Sequence, residues 1–450
     1  MNNTPSDNAE QNNSSYNLNH EEKLIKYNLN QKKAMITIML CIFIDVLGYS
    51  MIIPILPTIA QFTYGASNFM IGFIIASNAL TAFIFAPIWG KLSDKYGRKP
   101  FLIISQLGTF AAFLMLGFSD SLTTVILSRI LDGVFGGQIP IIRAYVTDVT
   151  DEKSRAAEMG KFTGAIAFGI IFGPAIGGLL GSINWRYPVL LAALLSIITI
   201  IFTLRFLKES MPKQRILDLK EKRKLKQEKH GKDKSLLFKK IVLLHLFELF
   251  LTIFAFIMIN TSFPLVTYLR YGFDVFTIGL VASLFGVMMM ISAGILMKPL
   301  IKKYGEKSML IFSVMLSISM FLVYPFLYTS WSLFIFIFPY VFSHVFTRAL
   351  LMTNLTKSVE EDKQGEVSGY ATNMQAIGQI TAPIVAYFYL EIWLISVLGF
   401  NLDAYFLIGF TCAIASFILL LLILYDMKKY PEVFIKAELE LKKDKNKPSL

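Results

Sequence analysis

Two residues of opposite charge stand inside stretches that are otherwise apolar. Asp45 lies some eleven residues into a run that begins near Ala34, and at about 1.5 Å per residue a helix would carry it ~16 Å deep. Arg129 lies eight or nine residues into the fourth such run, entered from the opposite side, so the two are expected at one depth and within reach of each other. An ionisable side chain inside a bilayer is costly and functional by default. A carboxylate held by a movable guanidinium changes its proton affinity as its surroundings open and close. Asp45 and Arg129 are therefore the expected proton-coupling pair, the alternative being a static pair that only orients two helices.

A second constellation is Gly90-Lys91-Leu92-Ser93-Asp94-Lys95-Tyr96-Gly97-Arg98-Lys99, between the second and third runs. Its glycines suit a tight turn, and Asp94 can sit at a helix N-terminus, where the dipole favours a carboxylate. Arg98 can pair with an acid on a neighbouring helix. Asp148 closes the fourth run and Arg155 follows it. Gly90, Asp94, Gly97, Arg98, Asp148 and Arg155 together form an expected charged gate. In the second half of the chain Lys302 and Glu306 replace Asp94 and Arg98, so the gate is expected to be degenerate there. A third set, Gly169, Gly173, Pro174, Gly177 and Gly178, forms a small-residue stripe that lets helices approach closely, with a proline kink. Arg129, Gly133, Gly136, Pro140 and Arg143 fall on one face of a continuous helix.

Uncharged and charged polar residues within the runs are candidates for a solute cavity: Tyr49, Glu248, Asn260, His344, Asn373, Gln375 and Gln379. Glu248 could bind a cation or a second proton, or snorkel to the nearby helix end. His344, one turn from Arg348, reads first as a core histidine and second as a proton site.

These residues need a scaffold of membrane-spanning helices. The chain has 450 residues, 55% hydrophobic and only 16% charged, with mean hydropathy +0.57. Runs of roughly 20 apolar residues, the length that crosses a bilayer, recur at about 34–57, 69–90, 99–118, 121–147, 156–181 and 186–207, then 240–268, 275–298, 307–328, 331–353, 366–391 and 402–425. Backbone polar groups in lipid must pair internally, so these are helices. A single soluble domain is excluded by their number and length. The net charge of +12 sits in alternate short connections, which is the positive-inside pattern rather than a nucleic-acid surface, and it places both termini in the cytosol. Cys41 and Cys412 both lie in apolar runs and suggest neither a disulfide framework nor a metal site.

Five segments follow: a polar cytosolic tail over 1–33, a six-helix half over 34–207, a basic cytosolic linker over 208–239, a second six-helix half over 240–425, and a cytosolic tail over 426–450. The halves repeat. Tyr96-Gly97-Arg98-Lys99 returns as Tyr304-Gly305-Glu306-Lys307, and Gly160, Gly169 and Gly173-Pro174 return as Gly369, Gly378 and Ala382-Pro383. Paired repeats of this kind put a solute site between the halves near the midplane.

The 90–99 segment resembles the signature loop of the major facilitator superfamily. Asp45-Val-Leu-Gly48-Tyr-Ser-Met-Ile-Ile-Pro54 resembles the first helix of tetracycline–proton antiporters and related twelve-span drug exporters. Arg129-x-x-x-Gly133-x-x-Gly136 resembles their fourth-helix proton motif, from which Asp132 departs. Gly169-x-x-x-Gly173-Pro174-x-x-Gly177-Gly178 resembles the fifth-helix antiporter motif. The resemblance implies an all-α integral membrane fold of about twelve helices in two pseudo-symmetric halves. It also implies proton-coupled export of a small lipophilic or amphipathic compound by alternating access, from a monomer in the plasma or inner membrane in contact with lipid. No cofactor beyond the coupling proton, no enzymatic activity and no nucleic-acid partner are expected, and no Gly-Lys-Ser/Thr phosphate loop marks a nucleotide-driven pump. The alternatives are a metabolite or sugar transporter on the same fold and a non-transporting membrane sensor.

Overall fold

The computed structural model describes residues 30–212, 215–217, 239–360, 363–392, 394–397 and 400–431. Most of the two expected tails and most of the linker lie outside them. Among the described residues, twelve long helices form the body: α1 (Gln31–Thr63), α2 (Asn68–Tyr96), α3 (Arg98–Gly117), α4 (Leu122–Val149), α5 (Glu152–Ile183), α6 (Arg186–Phe206), α7 (Lys240–Tyr271), α8 (Val275–Tyr304), α9 (Glu306–Phe326), α10 (Ser330–Lys357), α11 (Gln364–Ile392) and α12 (Ala404–Lys429). Eleven are long and apolar enough to cross a membrane; α11 matches them in length but is more polar. The expected all-α membrane fold is present.

Local chemistry sets the helix ends. Asn30, Ser67, Ser121, Asp151, Asp274, Thr329 and Asp403 each cap an N-terminus by accepting a backbone N–H with the side chain. Gly97 (φ 111°) and Gly305 (φ 83°) make the tight turns after α2 and α8, in a backbone region that L side chains avoid. Helix α4 breaks at Gly136–Gly137, so Arg129 and Arg143 do not share one continuous helical face. The break is held from outside: Trp89 donates its indole N–H to the Val134 carbonyl at 2.5 Å, and Ser105 donates to the Phe135 carbonyl. Helix α5 is unbroken through Pro174. Between α11 and α12 a two-stranded antiparallel hairpin pairs β1 (Leu394–Val397) with β2 (Phe400–Asp403), an addition to the expected connection.

Helices α1 to α6 pack as one half and α7 to α12 as the other, joined by α2 against α11 and α5 against α8. The flanks expose large apolar side chains such as Ile84, Leu194, Ile201, Ile335 and Leu421, the surface that lipid would cover.

Candidate functional site

The glycines show where the halves touch. Near the end of the bundle far from the basic connections, a Cβ on Gly72 of α2 would lie 2.9 Å from both the Pro383 carbonyl and Tyr387 of α11, and one on Gly178 of α5 would lie 2.8 Å from the Val275 carbonyl of α8. Real Cβ contacts are essentially never that short, so both seams depend on glycine. Asn68 donates to the Leu390 carbonyl at 2.9 Å and the Phe69 N–H to Glu391 at 3.2 Å across the first seam. The rings of Phe62 and Tyr268 meet at 4.7 Å between α1 and α7. Toward the basic end, Gly90, Gly160, Gly164, Gly294, Gly365 and Gly369 would meet nothing within 4 Å. The glycine-dependent contacts between the halves thus lie at one end, and toward the other the glycines of the described residues face open space. An open depression of about 700 Å³ at the closed end is lined in part by Thr58, Phe62, Asp120, Arg186 and Tyr268.

Asp45 lies midway along α1 of the first half. It is partly exposed, sits beside Thr199 and Cys41, and its Oδ2 has no hydrogen-bond partner. One turn along, Tyr49 is 47% exposed. The expected pairing with Arg129 is not formed. Arg129 is buried, pairs with Asp132 at 3.4 Å and lies 5.8 Å over the Phe113 ring. Asp132 is held in turn by Asn78 at 2.9 Å. The reason is local: an acid three residues along the same helix meets the guanidinium directly. Asp132, the departure from the motif, takes the guanidinium instead.

The charged cluster expected as a gate assembles, with different members. Arg98 bridges Asp94, four residues before it, and Asp148 of α4 at 3.2 Å, and donates to Ser93 at 2.8 Å. Gly97 supplies the turn. Gly90 lies inside α2, and Asp94 lies in the last turn of α2 rather than at a helix N-terminus, because that helix continues to Tyr96. Arg155 stays outside the gate, its Nε buried without a partner. Its place is taken by linker residues that looked like solvated charge. Glu209 accepts the backbone N–H groups of Arg98 (2.7 Å) and Lys99 (2.9 Å) at the start of α3. Ser210 donates to Asp148 at 3.0 Å. Arg215 donates to the Asp148 carbonyl at 3.1 Å and lies 3.7 Å from its carboxylate. Nothing in the spacing announces these contacts; the only signal is an acid three residues after a helix that ends near another helix's bare N-terminus.

The second-half counterpart keeps its geometry with the signs reversed. Glu306 begins α9 and pairs at 2.9 Å with Lys357, which ends α10. These positions lie 208 and 209 residues after Arg98 and Asp148, so the expected degeneracy is a charge swap.

The small-residue stripe divides its contacts. Gly169 abuts Val46 and the Leu47 backbone, Gly173 the Leu47 carbonyl, and Gly177 the Met51 backbone, all on α1. The Gly169 carbonyl also accepts from Ser50 at 2.8 Å. Gly178 instead faces α8, with Pro174 supplying its carbonyl to the same contact at Gly279.

The remaining cavity candidates scatter. Asn373 and Gln379 on α11 are exposed, and Asn260 is partly buried. Asn373 lies eleven residues, about three turns, from Ile384, whose backbone faces Gly72. Gln375 accepts from Arg348 at 2.7 Å. His344 is buried and stacked on Phe256 with ring centroids 3.7 Å apart. Glu248 neither snorkels nor faces the opening: it is 0% exposed, with both carboxylate oxygens unpartnered, in a cluster with His245 and Asp426.

The sequence model of the Major Facilitator Superfamily matches residues 38–383. Tetracycline resistance protein class H of Pasteurella multocida is 28% identical over 358 residues, covering 78% of this chain and 88% of that protein. Multidrug resistance protein 1 of Bacillus subtilis (strain 168) is 26% identical over 361 residues, 79% of this chain and 89% of that protein. In fold, the chain is similar to the human organic anion transporter MFSD10 (TM-score 0.64, 18% identity, 88% and 99% covered). It is also similar to a bacterial homolog of the human lysosomal transporter Spinster in an inward-facing, occupied conformation (TM-score 0.69, 14% identity, 89% and 97% covered).

Proposed function

Because the chain belongs to the major facilitator superfamily, and so is a multi-pass membrane transporter of small molecules, we propose that it exports a lipophilic or amphipathic compound in exchange for protons. The observation that carries the proposal is Asp45: a carboxylate in the middle of a spanning helix, with one oxygen buried and unpartnered and no cation paired to it among the described residues. Such a group is a proton carrier that an opening between the halves can hydrate in one state and bury in the other. Arg129, already neutralised by Asp132, serves as a fixed strut. The names of the relatives, a tetracycline resistance protein and a multidrug resistance protein, supply the substrate class. Tyr49, Asn373 and Gln379 are the polar contacts assigned to the solute, with apolar walls that suit varied shapes.

In this scheme the basic end is cytosolic and the closed seams are the outer gate. Proton binding at Asp45 and solute binding exclude one another, and the halves rock about α2–α11 and α5–α8. The test is a proteoliposome loaded with a pH-sensitive dye and offered lipophilic cations, tetracycline-like compounds and neutral sugars, with wild type beside Asp45→Asn. Proton movement triggered by a panel member and absent from the variant is the expected result. The same proton movement in both proteins would overturn the role of Asp45, and accumulation of a sugar without proton movement would overturn the export reading.

A further inference from the structure

We propose that His245, Glu248 and Asp426 form a divalent transition-metal site that ties α7 to α12, separate from the transport path. His245 and Glu248 lie three residues apart, on one face of α7. Asp426 lies 181 residues from His245 in sequence, three residues before the end of α12. Exposure is 0%, 0% and 1%, and one ligand atom from each lies within 4.8 Å of the other two. Their only mutual hydrogen bond joins His245 Nε2 and Asp426 Oδ2 at 2.9 Å.

All four remaining side-chain polar atoms of the three residues are unpartnered. His245 Nδ1, Asp426 Oδ1 and both Glu248 oxygens are buried without a hydrogen-bond partner. The wall around them is apolar: Leu246, Leu249, Met309, Leu310, Leu419 and Ile423 pack in the same cluster. Two carboxylates buried in such a wall without cations carry a large desolvation cost. A divalent cation cancels both charges and accepts from all three groups. One imidazole and two carboxylates are a donor set for zinc and its neighbours, with bonds near 2.0–2.2 Å. Ligands at that distance stand ~3.3 Å apart in a tetrahedron. The His245–Asp426 edge would therefore open slightly and the longer edges close, movements within reach of side-chain rotation. The site lies within two turns of the start of α7, directly after the linker, so its occupancy would clamp the second half at its basic end. Asp45 and the gate are not involved, and the proposal stands whether or not the export reading does.

The test uses the full-length protein in detergent, stripped with a chelator, dialysed against Zn²⁺ and assayed for retained metal by mass spectrometry. Co²⁺ substitution is followed by visible absorption. Wild type is expected to retain zinc and to give a Co²⁺ band that Zn²⁺ bleaches. Glu248→Gln and Asp426→Asn, checked for monodispersity on a sizing column, are expected to lose both signals. Wild type with no retained zinc and no Co²⁺ band would overturn the proposal, as would variants that retain as much zinc as wild type. Should a variant fail to fold, the Co²⁺ band of wild type decides alone. Thermal stability that follows pH with no metal retained would identify a proton-sharing triad instead and overturn the metal site.

Discussion

The Gly178 seam makes the rocking scheme measurable. Replacing Gly178 by Ala places a Cβ 2.8 Å from the Val275 carbonyl, 2.9 Å from the Gly279 Cα and 3.1 Å from the Phe276 carbonyl. All three are backbone atoms of α8, so no flexible side chain can yield. Restoring ordinary contact requires the helices to part by about half an ångström, and overpacking of this kind costs about 1–3 kcal/mol. The penalty falls on the closed seam alone, because once α5 and α8 separate the methyl meets nothing. A differential of that size shifts the closed-to-open ratio about 5- to 150-fold. Gly164 on the same helix is the control: its Cβ would meet nothing within 4 Å, and Ala is the better helix former by up to ~1 kcal/mol. Spin labels at Ile183→Cys and Trp331→Cys, exposed sites at the closed end of opposite halves (70% and 78% exposed), report the distance by pulsed dipolar spectroscopy. Both natural cysteines are buried and should not label. Gly178→Ala is expected to add a longer-distance population, and Gly164→Ala to leave the distribution unchanged. An unchanged distribution in a folded Gly178→Ala protein would refute the argument that this seam sets the conformational balance.

Other outcomes follow from the same contacts. Asp94→Asn keeps Arg98 paired with Asp148 and should leave the melting temperature near wild type while abolishing transport; wild-type turnover in that variant would remove Asp94 from the gate. Glu209→Ala strips three backbone N–H groups, of Arg98, Lys99 and Met211, of their acceptor and should lower stability by about 1–2 kcal/mol, whereas Arg155→Ala, with no side-chain partner lost, should barely move a thermal melt. Asp274 caps α8 beside the Gly178 seam, and hydrogen bonds from Thr277 hold its carboxyl below the usual aspartate range. A depressed carboxyl stabilises the fold above its unfolded value and loses that contribution as pH falls through the folded one. The difference in melting temperature between wild type and Asp274→Asn should therefore be largest near neutral pH and vanish in acid; a difference independent of pH would contradict it.

The apolar runs made the helices legible because only a helix satisfies its backbone in lipid, and the 90–99 segment made Arg98 and Asp94 legible because its turn needs a residue with positive φ at Gly97. Asp148 was legible as an acid closing α4. The Asp45–Arg129 pairing was misread because Asp132, three residues from Arg129, competes for the guanidinium and takes it. Glu209 and Arg215 were hidden in a linker of uniform charge, where a docked residue and a solvated one have the same composition. His245 and Asp426 were missed for a different reason: each is a single polar residue near a helix end, a place where snorkelling is common, and 181 residues separate them.

The charge swap between the halves explains why the linker docks where it does. Glu306 at the N-terminus of α9 and Lys357 at the C-terminus of α10 each sit at the end of the helix dipole that favours their sign. In the first half the same two positions hold Arg98 and Asp148, each at the end that disfavours it, so the ion pair forms at the expense of both dipoles. The strap reverses both penalties. Glu209 brings a carboxylate onto the N–H groups at the start of α3, and Arg215 brings a guanidinium onto the carbonyl of Asp148 at the end of α4. The second half already has these charges built into Glu306 and Lys357. An ion pair with its charges inverted therefore has a physical use for the segment that follows α6, which docks on both of its members.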